Sequence, residues 1–292
     1  MSKTREIKRR LRSIEKTRQI TRTMEMVATS KMKKMTDLVQ AARPYSMGLE
    51  EVIGRLTDPK LRQRYPLLRQ PSRQRRAAVI LLTSNRGLAG AFNVNLIREA
   101  RELMGRLEAD GVGVELHVVG KKGIAFFRFQ NQEMVTTRTD IPDRREPQHA
   151  AWLVDEPMKA FEQEELDAVY VVYSQFRSAL SIPPAVMQVL PVEPAKASAQ
   201  RDADLEAGMY ILSPGPDEIL NKLLPLYVRN RVYRALVETS AAEQSSRRTA
   251  MKNATDNAGE IIDNLRRTFN RARQAQITQE ISEIVGGAAA LE

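Results

Sequence analysis

Residues 214–285 read PGPDEILNKLLPLYVRNRVYRALVETSAAEQSSRRTAMKNATDNAGEIIDNLRRTFNRARQAQITQEISEIV, and this stretch decides the fold. After Pro225 it holds no proline, and Gly259 is its one glycine before the Gly286-Gly287 pair. Such a run without a breaker, at ~1.5 Å rise per residue, predicts a rod about 90 Å long. Globular helices usually run to about 10–14 residues, so this one must pack along another long helix or project into a partner. Asp217 and Glu218 fall in the first turn after Ser213-Pro-Gly-Pro, where acids favour a helix start. Met251, Ala254, Ala258, Ile261, Leu265, Phe269 and Ala272 recur at steps of three and four, close to the repeat of a left-handed coiled coil. The stripe then shifts phase to Ile277, Ile281, Ile284 and Val285, which predicts a change of partner between residues 272 and 277. Residues 285–291 carry no side-chain charge in a chain that is 28% charged. On an isolated domain such a segment frays; at the tip of a rod it reads as seated inside another protein.

A second long helix is expected over residues 3–57. Ile7, Leu11, Ile14, Ile20, Met24, Val27, Met35, Leu38 and Ala42 mark one face, with a polar interruption around Arg18. Pro44 lacks an amide donor and should kink or locally break this helix. Met24, Met26, Met32 and Met35 serve equally well as flexible core filler or as a partner-facing stripe. If the two helices run antiparallel from a base near residues 57 and 214, the N-terminus lies level with about residue 271, at equal rise per residue. The C-terminal helix would continue alone beyond that point, close to where its stripe changes phase.

Between the helices the pattern is α/β. Ala77-Ala-Val-Ile-Leu-Leu82 reads as a buried strand, followed by the turn Thr83–Asn93 and an amphipathic helix from about Val94 to Glu108. Further strands are expected at 114–119, 134–138, 167–173 and 186–193, with a helix at 153–163, a loop at Gly120-Lys-Lys-Gly123 and another at 196–208. Alternating strands and helices imply a mainly parallel, Rossmann-like sheet with crossover helices. Gly87 and Gly90 follow a strand and open a helix, yet lack the Gly-x-Gly-x-x-Gly dinucleotide fingerprint, and no Gly-Lys-Ser/Thr follows for a P-loop. Glu165 and Asp167 have no His or Lys nearby in sequence for acid/base work. The expected organisation is therefore residues 1–57 as a coiled-coil helix, 75–210 as an α/β foot, 213–286 as the second coiled-coil helix and 287–292 as a tail.

Composition narrows the function classes. There is no cysteine, which excludes disulfides, thiolate metal sites and cysteine nucleophiles; His117 and His149 alone make a multi-histidine metal centre improbable. The longest apolar run, Ala77–Leu82, falls far short of the ~20 residues needed to span a bilayer, and the Arg-rich start has no apolar segment of a secretory signal. The net charge of +10 is concentrated: residues 1–34 hold twelve Lys or Arg against Glu6, Glu15 and Glu25, and Arg62–Arg76 form a second basic run. A solvated helix face explains such runs, as do nucleic acid, anionic lipid or an acidic protein surface.

Several stretches resemble one family. Ala250-Met-Lys-Asn-Ala-Thr-Asp-Asn-Ala258 and the run from Asn270 to Ala290 are similar to the C-terminal signature of the γ subunits of rotary (F-type) ATP synthases, bacterial type. Arg5–Ile14, Thr17–Ala28, Ser30-Lys-Met and Ala42-Arg-Pro-Tyr45 resemble the same family at the other end. The family's turn resembles Thr-Ser-Asp-Arg-Gly-Leu-Cys-Gly; Asn85 and Ala89 stand here in place of its acid and thiol. The resemblance implies a central rotor shaft that couples proton- or sodium-driven c-ring rotation to ATP synthesis at catalytic β subunits, itself without catalytic residues, cofactor or metal. It implies α and β subunits, the ε subunit and the c-ring as partners, and a peripheral place on the cytoplasmic face of the bacterial plasma membrane. Arg273, Gln274, Thr278 and Glu280 match positions contacting β subunits, Met24 and Arg247 the mid-shaft facing the lever loops of β, and Tyr210 the foot. Two rivals predict other properties. A basic coiled coil that binds nucleic acid calls for interleaved aromatics, and residues 1–44 contain no Phe, Trp or Tyr. A Rossmann-like enzyme with helical arms calls for nucleotide binding by residues 77–210.

Overall fold

The computed structural model describes residues 3–56, 64–142, 145–192 and 216–289. The loop expected at 196–208 and Tyr210 lie outside the described residues. Helix α1 spans Lys3–Leu56, followed by a single 3-10 turn at Pro66–Leu68. Then come β1 (Arg76–Leu82), α2 (Phe92–Ala109), β2 (Gly113–Val119), α3 (Lys121–Phe129) and β3 (Thr136–Arg138). Helix α4 (Pro147–Glu162), β4 (Ala168–Ser174), β5 (Pro184–Leu190) and α5 (Pro216–Ala289) complete the order. The chain divides into two compact units, residues 30–246 and residues 1–29 with 247–292.

In the unit of residues 30–246, the five strands lie in the order β3-β2-β1-β4-β5. All pairs are parallel except the edge pair β4–β5, which is antiparallel. This is the mainly parallel sheet between two long helices that the sequence predicts. Strand β1 is apolar and buried on both sides, as a central parallel strand must be. Ala77, Val79 and Leu81 face the cluster built by α2 and α3; Ala78, Ile80 and Leu82 face the one built by α4 and the 3-10 turn. Both terminal helices add to both covers. Val39 of α1 and Val237, Ala241 and Ala242 of α5 join the first cluster, while Leu49 and Ile53 of α1 and Leu220–Leu236 of α5 join the second. The two helices meet in this unit where the Ser46 hydroxyl donates to Asn230 Oδ1 at 2.7 Å.

Helix α3 replaces the loop expected around Gly120–Gly123. Both glycines there answer to steric demand. Gly120 sits at φ 97°, where a Cβ would lie 2.3 Å from the Thr83 carbonyl oxygen, and a Cβ at Gly123 would lie 2.8 Å from Thr83 Oγ1 and Val118 Cγ1. They let α3 start hard against the ends of β1 and β2, and so read as turn residues in the sequence. Pro44 does not break α1, which runs through it, and α5 likewise continues through Gly286 and Gly287.

In the unit of residues 1–29 and 247–292, the helices pair antiparallel. Thr4 Oγ1 lies 3.1 Å from Gln276 Oε1, Arg266 Nη2 donates to Glu15 Oε1 at 2.9 Å, Arg18 lies over Gly259, and the Thr21 and Thr255 hydroxyls bond at 2.8 Å. Rising numbers on α1 meet falling numbers on α5. Thr4 beside Gln276 carries the pairing a few residues past the ~271 obtained from equal lengths, because register follows which side chains meet rather than where helices start. Among the covered positions of α5, Met251, Thr255, Ala258, Ile262, Leu265, Phe269 and Ala272 follow one another in alternating steps of four and three, with Ala254 and Gly259 half-buried beside this line. Ile262, at 2% exposure, takes the seam place expected of Ile261, which is 46% exposed. On α1, Thr4, Ile7, Leu11, Ile14, Thr21, Glu25 and Ala28 are covered, with Glu15 and the expected Met24 half-buried beside them, whereas Ile20 and Val27 point outward instead of inward. Two adjacent apolar residues satisfy a 3.5-residue pattern equally well; only the phase carried from Ile7 and Leu11 separates them. A strict heptad imposes a left-handed supercoil. Ile262→Ala is expected to cost about 2–5 kcal/mol and Ile261→Ala no more than about 0.5 kcal/mol, read by thermal denaturation of the two variants side by side.

Candidate functional site

Of the residues singled out in the sequence, those that are described occupy two zones of one unit. Met24 is half-buried on α1, one residue before the seam position Glu25, and Arg247 is 8% exposed on α5. Arg273, Gln274, Thr278 and Glu280 are all exposed near the end of α5. At helical rise, Arg273 lies about 39 Å along α5 from Arg247. The structure thus groups the four terminal positions and keeps them apart from Met24 and Arg247.

The terminal zone is amphipathic without a cover. At 100° per residue, Arg273, Ile277, Glu280 and Ile284 share one line, and Ile281, Gln274, Thr278 and Val285 lie beside it. Ala275, Gln276, Gln279, Ser282 and Glu283 fill the opposite side. Ile277, Ile281, Ile284 and Val285 are exposed at 47, 56, 72 and 62%. Gln276 Nε2 donates to Glu280 Oε1 at 2.9 Å and Gln279 Nε2 to Glu283 Oε1 at 2.8 Å, so part of the polar equipment is spent within the helix. The apolar line has no partner among the described residues, and a helix that keeps one apolar face at this level of exposure is built to be covered.

A second surface lies on the first turns of α1. Arg5, Lys8, Arg9, Arg12 and Lys16 fall on one face of the helix, opposite Ile7, Leu11 and Ile14. Among the described residues none of these five cations has an ion-pair partner, whereas Arg10 pairs with Glu6 at 2.8 Å. Ile20 and Val27, expected on the seam, are instead 60 and 51% exposed on α1, and Met26, left open between core filler and partner-facing stripe, is 59% exposed. The heptad phase running from Thr4 through Leu11 to Ala28 is the signal that exposes them.

The α/β domain was the place to look for chemistry, and its turn is closed upon itself. The Ser84 N–H donates to Asn93 Oδ1 at 3.0 Å and the Ser84 hydroxyl to the Arg86 carbonyl at 2.6 Å. Asn85 Oδ1 accepts the Lys121 N–H while its Nδ2 donates to the Thr139 carbonyl, both at 3.1 Å. An aspartate there performs the first task but not the second. Asp167 accepts the Arg75 and Arg76 N–H groups and pairs with Arg69 at 3.5 Å, which makes it a strut between segments. No group of three His, Asp or Glu among the described residues is placed to hold a metal ion. His117 is buried on β2 beneath a groove bounded by Trp152, Glu156 and Lys159 of α4, and its Nε2 has no hydrogen-bond partner. Burial lowers its pKa against the opposing pull of Glu115 and Glu156.

The whole-chain comparisons agree with one another. A sequence model of the ATP synthase family matches residues 3–291. The ATP synthase gamma chain of Gemmatimonas aurantiaca is 57% identical over 292 residues, covering all of both chains. This chain belongs to the ATP synthase gamma chain family. The family's chain from Moorella thermoacetica is 43% identical and that from Leptospira biflexa 41%, again with full coverage of both sequences. Among solved structures, a chain of the Tetrahymena thermophila mitochondrial ATP synthase central stalk and c-ring is similar at TM-score 0.62 and 25% identity, covering 80% of this chain and 99% of that one. A chain of the Euglena gracilis mitochondrial ATP synthase shares the fold at TM-score 0.66 and 22% identity over 99% and 94% of the two. The gamma family fold therefore extends over the whole chain, helices included. No helix among its described residues is long and apolar enough to cross a membrane.

His117 yields a test of the buried α/β core of this gamma-family chain. In the folded state it stays neutral at pH values where the unfolded chain, near the ordinary 6.5, takes up a proton. The unfolded state then binds more protons, so stability falls as pH drops below about 6.5 toward the lowered folded value. His117→Leu is expected to remove that part of the slope, read by urea denaturation midpoints across the window.

Proposed function

We propose that this gamma-family chain is the central rotor shaft of an F-type ATP synthase, coupling proton- or sodium-driven rotation of a c-ring to ATP synthesis at catalytic β subunits. The observation that carries the reading is the end of α5, where an apolar line stands uncovered beyond the last paired residues. Such a line fits a sleeve made by other subunits. The polar residues interleaved with it (Arg273, Gln274, Thr278 and Glu280) supply bonds whose strength depends on angle, as a rotating contact with β subunits requires. Met24 and Arg247 form the mid-shaft contact with β, and Tyr210 belongs to the foot. The α/β domain stands toward the c-ring and ε subunit, on the cytoplasmic face of the plasma membrane. The chain transmits work and performs no chemistry of its own.

The unpaired cation stripe of α1 favours an acidic counterpart, and within this reading it is an acidic surface of β. Nucleic acid is the competing counterpart. Both are decided by affinity purification of the tagged chain from gently solubilised membranes. P-loop-bearing α and β subunits with ATPase activity are expected. Recovery of the chain alone, or with nucleic acid released steeply by salt, contradicts the shaft. Within the recovered complex, Ile281→Glu with Ile284→Glu is expected to lower the yield of assembled α, β and γ about tenfold or more, since burying unpaired carboxylates costs several kcal/mol. Undiminished assembly would place the α5 end outside any sleeve.

A further inference from the structure

The sheet reverses direction between β1 and β4: from β1 the order runs outward through β2 to β3, and β4 lies on the other side. In open α/β sheets the crevice outside the carboxyl ends of two such strands is where ligands sit. Here α5 fills that place. Residues up to Leu236 pack in the cluster on one face of the sheet, and Val237, Ala241 and Ala242 pack in the cluster on the other. The helix therefore crosses the sheet margin near residues 236–242, and at the crossing it presents polar side chains. Glu238 is 2% exposed; its carboxylate accepts the Phe176 N–H at 3.3 Å and the Arg234 Nε–H at 2.8 Å. Thr239 Oγ1 accepts the Ser174 N–H at 3.3 Å. Further along, the Ser245 hydroxyl donates to the Ala179 carbonyl and the Ser246 hydroxyl to the Ala89 carbonyl, each at 2.6 Å. Ala89 follows Leu88, whose φ of 63° is rare for a residue with a side chain, so the loop after β1 is held tightly where it meets the helix.

Two backbone N–H groups at the end of β4, beside the crevice where a sheet of this class binds its ligand, face a carboxylate and a hydroxyl of the chain's own helix. We propose that Glu238 is an internal ligand of the α/β domain: its carboxylate takes the anion position of the crevice and, with Thr239, forms the joint through which the domain turns α5. The proposal rests on the rotor reading. Torque about a helix axis is resisted poorly by apolar packing, which is non-directional. Hydrogen bonds are directional: the Arg234 bond, within α5, holds the Glu238 carboxylate in place, and the Phe176 N–H across the joint meets a charged acceptor at 3.3 Å. These bonds fix the angle of α5 against the sheet, and Ser245 and Ser246 fix it again about two turns on.

The test uses the assembled complex in inverted membrane vesicles, comparing ATP hydrolysis with ATP-driven ion uptake. Glu238→Leu keeps the volume and loses both acceptor oxygens; Glu238→Gln keeps the volume and one acceptor. We expect hydrolysis in both within about twofold of the parent, uptake per ATP reduced roughly threefold or more in E238L, and a smaller reduction in E238Q, which keeps one acceptor oxygen but loses the charge. A parental uptake-to-hydrolysis ratio in E238L overturns the proposal. An equal reduction in both variants also overturns it, because the loss would then follow the charge alone and not the bonds that fix the angle of α5. Should E238L fail to assemble, Thr239→Val combined with E238Q replaces it: a reduced ratio supports the joint and a parental ratio rejects it. Failure of the rotor reading registers separately, as vesicles whose ATPase lacks this chain altogether.

Discussion

A parallel strand buried on both faces needs apolar cover on both, and β1 draws part of each cover from the terminal helices. Leu49 and Ile53 come from α1, and Leu220, Leu224, Val228 and Val232 from α5. Each such side chain contributes about 1.5–3 kcal/mol when fully buried, which is a large share of the ~5–15 kcal/mol that separates a folded domain from its unfolded chain. The α/β domain is therefore not a finished domain with arms attached. Its sheet is complete only when both helices lie across it. Any load applied to the sheet is then borne by helices that are part of its own core.

The paired section of residues 1–29 and 247–292 has the opposite character. Its two-helix seam leaves Leu11, Ile14, Leu265 and Phe269 only half-buried and includes Thr4, Thr21, Glu25 and Thr255, with Arg18 lying over Gly259. Seams of this kind bury little area per residue, and exposed ion pairs such as Glu15–Arg266 add at most about 1 kcal/mol. Strength comes from length, while the polar contacts select one register. The outer surfaces remain available: a cation stripe on α1, the outward Ile20, Met26 and Val27, and the uncovered line of α5. A shaft that must meet several partners in turn calls for this division between an economical seam and an elaborated exterior.

Much of this was legible in the sequence for physical reasons. The absence of breakers from residue 226 to 285 can only mean a long helix, and the unbroken apolar run Ala77–Leu82 can only mean a strand hidden on both sides. Misreadings arose where two residues satisfied one pattern. Ile261 and Ile262 are neighbours of equal hydrophobicity, and Ile20 and Val27 keep helical spacing while lying one residue out of phase with Thr21 and Ala28. Helix α3 was hidden by Gly120 and Gly123, whose small size serves contact with Thr83 rather than a turn. The passage of α5 through the switch crevice had no local signal, since Glu238 and Thr239 look like any polar pair on a helix until the end of β4 and the loop after it fold against them. Tertiary partners are set by topology, and a single sequence states topology only through its elements.

The absence of cysteine from the chain makes the central claim directly measurable. Phe129→Cys, at an 83% exposed position on the α/β domain, gives a unique attachment point for a bead or gold rod. With the α and β subunits of the purified complex fixed to a surface, the rotor account predicts continuous one-way rotation of the probe on addition of ATP, stopping when ATP is removed. A complex that contains the chain and hydrolyses ATP while the probe shows only undirected Brownian motion would contradict it.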